Sequence, residues 1–186
     1  MPKRSIRQKL LTQRQLLADS ECLQRSLIVQ QRLLQTDEYR QASVIALYAP
    51  IHNEVLTADI FAAALQDGKQ ILFPRVEGAS LSFIEIESLD SLIAGAFGVA
   101  EPTGSVVRPA ASIDLIVVPG VGFDRCGYRL GYGQGYYDRA VGLGCPALLA
   151  GLAYDFQIVD KLPAENHDIR LDLLVMDSEV LAFGNI

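Results

Sequence analysis

No apolar run in the 186-residue chain approaches the ~20 residues that a membrane span needs, so no membrane partner is expected. The basic N-terminus, MPKRSIRQKL, is followed by no apolar stretch of the kind a secretory signal carries. Cysteine is scarce. Cys22, Cys126 and Cys145 show no CxxC spacing and cannot all pair with one another, which argues against a disulfide framework and for a reducing compartment. These absences lead to the expectation of a cytoplasmic protein. Low-complexity tracts and internal repeats are also missing. Half of the residues are hydrophobic against one-fifth charged, the balance of a folded globular domain rather than a disordered chain. Acids outnumber bases by 22 to 16, for a net charge of −6. That balance argues against a nucleic-acid partner but leaves room for a local basic site that takes an anionic ligand.

What is present points to one domain over residues 1–186 and, by default, a monomer. A chain of this length buries roughly 70% of its unfolded surface without needing metal or disulfide staples. From Ser5 to about Leu17, apolar Ile6, Leu10 and Leu17 share one helical face beside a crowd of bases, Lys3, Arg4, Arg7, Lys9 and Arg14. A second helix is expected from about Ser20, with Leu23, Leu27 and Leu34 as its core stripe, so the chain opens with a helical hairpin. Its basic face reads first as solvated surface. From Val44 the period changes. VIALYAP, QILFP, LSFIEI, DLIVVPG, PALLAG and LDLLVMD read as short buried strands, with helical patterns such as LTADIFAAALQD between several of them. The alternation predicts an α/β fold with a largely parallel central sheet flanked by helices. Residues Gly95 to Ser112 read as a connecting loop. Ligands of such sheets bind beyond the carboxyl ends of the strands, which draws attention to PIHNE, to GVGFDRCGYRLGYGQGYYDR and to NHDIRLD.

The segment RLGYGQGYYDR sets Gly131, Gly133 and Gly135 at alternate positions. Glycines admit positive φ and let a ligand approach backbone N–H groups, and a helix beginning at YYDRAVGL would add its N-terminus. Phosphate is the natural guest. Arg129 is suited to pair bidentately with its oxygens and Asp138 to hold a magnesium ion. Neither familiar phosphate motif matches, however: no lysine stands in G-x-x-x-x-G-K-[ST], and Tyr136 occupies the third glycine's place in G-x-G-x-x-G. On pattern alone the segment is a phosphate-loop candidate, with a tight turn whose tyrosines pack on the sheet as the plainer reading.

The longer run PGVGFDRCGYRLGYGQGYYDR closely resembles the signature of the 5-formyltetrahydrofolate cyclo-ligase (5,10-methenyltetrahydrofolate synthetase) family. KRSIR, YAPIHNE, the dipeptide Glu101-Pro102 and HDIRLD fall in the family's order, so the resemblance covers nearly the whole chain. It implies an α/β architecture similar to that of sugar-phosphate isomerases and coenzyme A transferases. It also implies an ATP- and Mg2+-dependent closure of 5-formyltetrahydrofolate to 5,10-methenyltetrahydrofolate, with release of ADP and phosphate. Carried over by position, Lys3, Arg4, Ser5, Ile6 and Arg7 would line the ATP site together with Arg129, Leu130, Gly131, Tyr132, Gly133, Gln134, Gly135, Tyr136 and Tyr137. Ala49, Glu54 and the loop from Tyr132 to Tyr136 would face the folate. Asp138 and Asp172 would serve magnesium, and Arg129 and Lys3 would neutralise charge during phosphoryl transfer. Many members place lysine, arginine or glycine where this chain has Gln134.

Several residues have plainer readings. Asp138 is also a favourable acid for a helix N-terminus. Tyr136 and Tyr137 serve core packing as readily as stacking on a pterin. His167 and Asp168 lie beside no serine or cysteine nucleophile motif, so a triad is not expected, and Asp168 reads as a structural hydrogen-bonder. Cys126 and His52 read as loop residues. Two other functions use the same features: a sugar-phosphate isomerase, and a non-catalytic folate- or nucleotide-binding module.

Overall fold

The computed structural model describes residues 2–142, 145–165 and 168–184. Among the described residues there are five α-helices: α1 (Lys3–Gln15), α2 (Asp19–Leu34), α3 (Asp37–Gln41), α4 (Ala58–Gln66) and α5 (Tyr136–Val141). The strands in chain order are β1 (Val44–Ala46), β2 (Gln70–Glu77), β3 (Ser80–Glu85), β4 (Leu92–Ala94), β5 (Ala100–Pro102), β6 (Val107–Arg108) and β7 (Leu115–Val118). They continue with β8 (Gly122–Asp124), β9 (Arg129–Leu130), β10 (Leu148–Ala153), β11 (Ile158–Val159), β12 (Leu173–Met176) and β13 (Val180–Ala182). The main sheet runs β13-β12-β10-β7-β1-β2-β3-β6. Its five central strands, β12 to β2 in that order, are parallel, and β13, β3 and β6 add antiparallel edges. Both faces of the parallel part are covered, which is why LIVV of β7 and LLVM of β12 are apolar and buried at every position.

Alternate side chains divide the core in two. Ile45, Ile71, Leu115 and Val117 pack with Val29 and Leu33 of α2 and Ile60 and Phe61 of α4. Ala46, Leu72, Ile116 and Val118 face the other way, toward Phe123 and Val141. Each fully buried Leu, Ile or Phe of these layers is worth about 1.5–3 kcal/mol over exposure. The two helices of the expected N-terminal hairpin divide between surfaces, for α2 covers the main sheet while Ile6 and Leu10 of α1 pack with Val121, Leu130 and Leu162. A Cβ at Gly122 would come within 2.4 Å of Leu10 Cδ1, so that glycine lets α1 lie directly against β8. Helix α1 starts directly after Pro2, two residues ahead of the expected Ser5.

The stretch from Gly95 to Ser112 is more than a connecting loop. It supplies β5, which pairs with β4, and β6, which extends the main sheet beyond β3. A Glu101 carboxylate oxygen accepts from the Val76 N–H at 3.2 Å and ties the β4–β5 hairpin to β2. The path of the chain sets the position of the site. From β1 it passes through α4 to β2 on one side, then returns to β7 on the other side of β1. Strand order therefore reverses between β1 and β7, and a crevice opens beyond their carboxyl ends.

Candidate functional site

A cavity of about 510 Å³ occupies that crevice. Tyr48 and Ala49 after β1, Pro119 after β7, and Pro74 and Val76 of β2 contribute to its walls, as does every residue from Arg129 to Asp138. Apart from Pro119, only this second half of the glycine-rich signature reaches the cavity. The first half is hairpin architecture built around Asp124, which is fully buried. Its carboxylate accepts from the N–H groups of Cys126 (2.9 Å), Tyr128 (3.0 Å) and Leu162 (2.9 Å), and so fixes the turn between β8 and β9. Cys126 is an exposed member of that turn. Beyond β9, Gly135 takes φ +65° and caps α5, and its neighbour Gln134 gives its carbonyl to Arg139 Nη1 at 2.8 Å.

Cations gather around the loop. Of the five N-terminal residues expected at the nucleotide, Lys3 and Arg7 line the cavity and the other three do not. Lys3 and Arg7, four positions apart, share a helical face toward the cavity, whereas Ile6 is turned into the packing of α1 and Arg4 is exposed. Arg4, Ser5 and Ile6 thus depart from the expected lining. Arg7 Nε donates to the Gly131 carbonyl at 2.8 Å. Lys3 Nζ pairs with Glu165 at 2.8 Å and Asp168 at 2.9 Å. Burial works to lower the Lys3 ammonium's pKa, and the two carboxylates outweigh it, so it sits above the ordinary lysine value. Partly exposed pairs of this kind are worth about 0–1 kcal/mol and yield readily to an incoming polyanion.

Arg129 is the most informative of the group. Its side chain is 6% exposed, Nη2 meets Asp138 Oδ1 at 3.2 Å, and the guanidinium lies 5.6 Å from the centroid of the Tyr137 ring. Its Nε is buried with no hydrogen-bond partner among the described residues. A buried donor left unpaired costs roughly 1–3 kcal/mol, and it belongs to a residue that lines the cavity.

The opposite wall is acidic and aromatic. Glu54, 4% exposed, accepts from the Ile51 N–H at 3.0 Å and from the Tyr132 hydroxyl at 3.1 Å. Burial pushes its carboxyl above the usual glutamate range, against the pull of Arg14, the Ile51 N–H and the Tyr132 hydroxyl. Burial likewise raises the Tyr132 and Tyr137 hydroxyls, which stay protonated well past the ordinary tyrosine range. Several contributors escaped sequence reasoning, Arg14, His52 and Phe97 among them. Arg14, apparently one more base on a solvated face, is buried beneath this wall. His52 lines the cavity from a left-handed turn, with φ 50°, and no pattern in the sequence marks that conformation. Phe97, also left-handed at φ 58°, stands 67% exposed at the cavity with its ring 6.1 Å from that of Tyr136.

The expected pair of metal-binding aspartates is not brought together. Asp138 lines the cavity, whereas Asp172 does not. Asp172 sits at the opposite end of the strands, just before β12, where its carboxylate accepts from the Leu149 N–H at 2.8 Å and satisfies an amide at the start of β10. Among the described residues no group of three His, Cys, Asp or Glu side chains could hold a metal. A lone carboxylate still suits magnesium, which usually takes one or two protein carboxylates and completes its shell with water and substrate phosphates. Of the two expected aspartates, Asp138 stands at the cavity, where its Oδ1 accepts from Arg129 and from the Ile169 N–H, and Asp172 lies outside the lining. Asp168 lines the cavity and pairs with Lys3, while His167 lies outside the described residues. No helix among the described residues is long and apolar enough to cross a membrane.

Comparison with known proteins gives a consistent result. The model of the 5-formyltetrahydrofolate cyclo-ligase family matches residues 1–177. A 5-formyltetrahydrofolate cyclo-ligase of Mus musculus is 30% identical, over 91% of this chain and 91% of its own. The NMR structure of the Aquifex aeolicus 5,10-methenyltetrahydrofolate synthetase superposes with a TM-score of 0.89 at 37% identity, covering 100% of this chain and 94% of that one. A 5,10-methenyltetrahydrofolate synthetase from Mycoplasma pneumoniae gives 0.77 at 31% identity, over 94% and 98%.

Proposed function

Because the chain belongs to the 5-formyltetrahydrofolate cyclo-ligase family, we propose that it closes 5-formyltetrahydrofolate to 5,10-methenyltetrahydrofolate at the expense of ATP, in the cavity between β1 and β7. One observation carries the reading: a single cavity joins a cationic phosphate loop, with an unpartnered buried Arg129 Nε, to a buried carboxylate suited to a pterin's N–H groups.

A formyl amide is a poor electrophile, and direct cyclisation would expel hydroxide. Attack of the formyl oxygen on the γ-phosphorus forms an O–P bond and releases ADP. The carbon becomes an iminium-like centre carrying a phosphate. The neighbouring folate nitrogen then attacks that carbon, the C–O bond breaks, phosphate leaves and the nitrogen loses its proton. Such transfers ask a protein mainly for alignment and charge neutralisation. In this reading Arg129, Lys3 and Arg7 address the phosphate oxygens, and the backbone N–H groups of Gly131 to Gly135 cradle them. Arg129 and the N-terminal bases supply the positive charge that Gln134 lacks. Asp138 would hold magnesium, which when bound neutralises charge on the phosphate oxygens. Glu54 accepts from the pterin's amino and ring N–H groups, and Ala49 and Tyr136 lie against the folate.

The test mixes purified protein with 5-formyltetrahydrofolate, ATP and magnesium and follows the near-ultraviolet absorbance of the methenyl product. ATP-dependent growth of that band is expected. Folded protein that yields no product overturns the reading.

A further inference from the structure

Arg14 is the largest fully buried side chain of the described residues, at 1% exposure, although it belongs to a helix rich in surface bases. Its guanidinium meets a different partner in each direction. Nε donates to the His52 carbonyl at 2.9 Å, Nη1 to the Gly120 carbonyl at 3.1 Å and Nη2 to the Tyr132 hydroxyl. Nη1 also lies 3.7 Å from Glu54 Oε1, and the Tyr132 hydroxyl donates its own proton to that oxygen at 3.1 Å. One cation from α1 therefore joins the turn after β1, the exit of β7 and the glycine loop, three segments that line the cavity. The turn is held from its other side as well, since Asn53 Nδ2 donates to the carbonyls of Arg14 and Leu17, both at 3.1 Å.

Stability alone gives little reason for this arrangement. Taking two charges out of water opposes their attraction, and apolar residues of similar shape often replace a buried ion pair without loss. A planar fork with donors in fixed directions is, by contrast, suited to setting the mutual orientation of several groups. We propose that Arg14, which faces neither substrate directly, is a positioning residue: it fixes Glu54 and Tyr132 in the orientation in which Glu54 meets the pterin's N–H donors. This rests on the cyclo-ligase reading above. Glu54 grips a part of the folate remote from the formyl oxygen, so losing its alignment weakens binding more than it slows chemistry.

The experiment is a mutant cycle on the whole protein, reading the folate Kd by titration calorimetry and kcat and KM by product absorbance. Arg14→Met is expected to weaken folate binding about 10- to 100-fold with kcat changed only a few-fold, because a buried acceptor loses its charged partner. In the Glu54→Gln background the same substitution is expected to add little, since the carboxylate through which Arg14 acts is already gone. Tyr132→Phe removes a single hydroxyl and carries the same cycle if Arg14→Met does not fold; a several-fold weakening, absent in the Glu54→Gln background, is expected. Unchanged folate affinity in these variants, or penalties that multiply in full with Glu54→Gln, overturns the proposal. Failure of the functional reading is distinct from this, because unsubstituted protein would then form no product.

Discussion

At the scale of single residues, the site is organised by side chains whose hydrogen-bonding capacity exceeds what the fold itself uses. Arg129 is buried, spends Nη2 on Asp138 and keeps Nε without a partner among the described residues. Asp172 is the converse case, a carboxylate outside the cavity lining that holds the Leu149 N–H at the start of β10. Residue type alone does not separate the two. Arg129→Ala is expected to lower kcat about 10²- to 10³-fold, the usual consequence of losing one well-placed donor to transition-state charge. Circular dichroism should remain that of the parent, and near-normal turnover by the folded variant would remove Arg129 from the chemistry.

At the scale of elements, α1 and the glycine loop form one working unit. Arg7 holds the Gly131 carbonyl, Arg14 holds Tyr132, and the apolar face of α1 rests on Val121 and Leu130. The end of the loop depends on Gly135, whose φ of +65° is a conformation that L side chains rarely adopt, and an added Cβ there would meet Arg139 Nη1 at 3.0 Å. Gly135→Ala is expected to cost about 1–2 kcal/mol of backbone strain, hence roughly 2–8 °C in Tm for a domain of this size. Its ATP KM should rise further than that modest loss suggests, because the strain falls on the phosphate-facing backbone. An unchanged melting curve and unchanged ATP KM would show that the position tolerates a side chain.

At the scale of the whole molecule, the cavity draws on segments from most of the chain, from Lys3 in α1 to Asp168 ahead of β12. Such a site exists only in the folded state, so ligands that bind it must stabilise the fold by mass action. At a hundred times its Kd a ligand contributes about 2.7 kcal/mol, which for a domain of this size raises Tm by roughly 5–10 °C. Thermal melts with 5-formyltetrahydrofolate and with ATP plus magnesium should each show that rise, while simple sugar phosphates should leave Tm in place. A rise with sugar phosphates alone would favour an isomerase-like site on the same sheet.

Much of this was legible in the chain. Apolar runs such as LIVV and LLVM read as strands covered on both faces, and their alternation with helical patterns predicted the largely parallel α/β sheet that the structure shows. Gly131, Gly133 and Gly135 beside Arg129 and Asp138 marked a loop that the fold places in the cavity wall, because bare backbone and flanking charge are local properties. What depends on distant segments meeting was decided by tertiary structure. Helical spacing selected Lys3 and Arg7 from five neighbouring residues, and the fold put Asp138 at the cavity and Asp172 beside the start of β10, outside the lining. The approach of α1 to the exits of β1 and β7 turned Arg14 from an apparent surface base into the buried partner of Glu54 and Tyr132. The physical reason is range: backbone conformation and hydrophobic period act over a few residues, whereas burial, ion pairing and the choice of lining residues depend on contacts 40 to 120 positions apart.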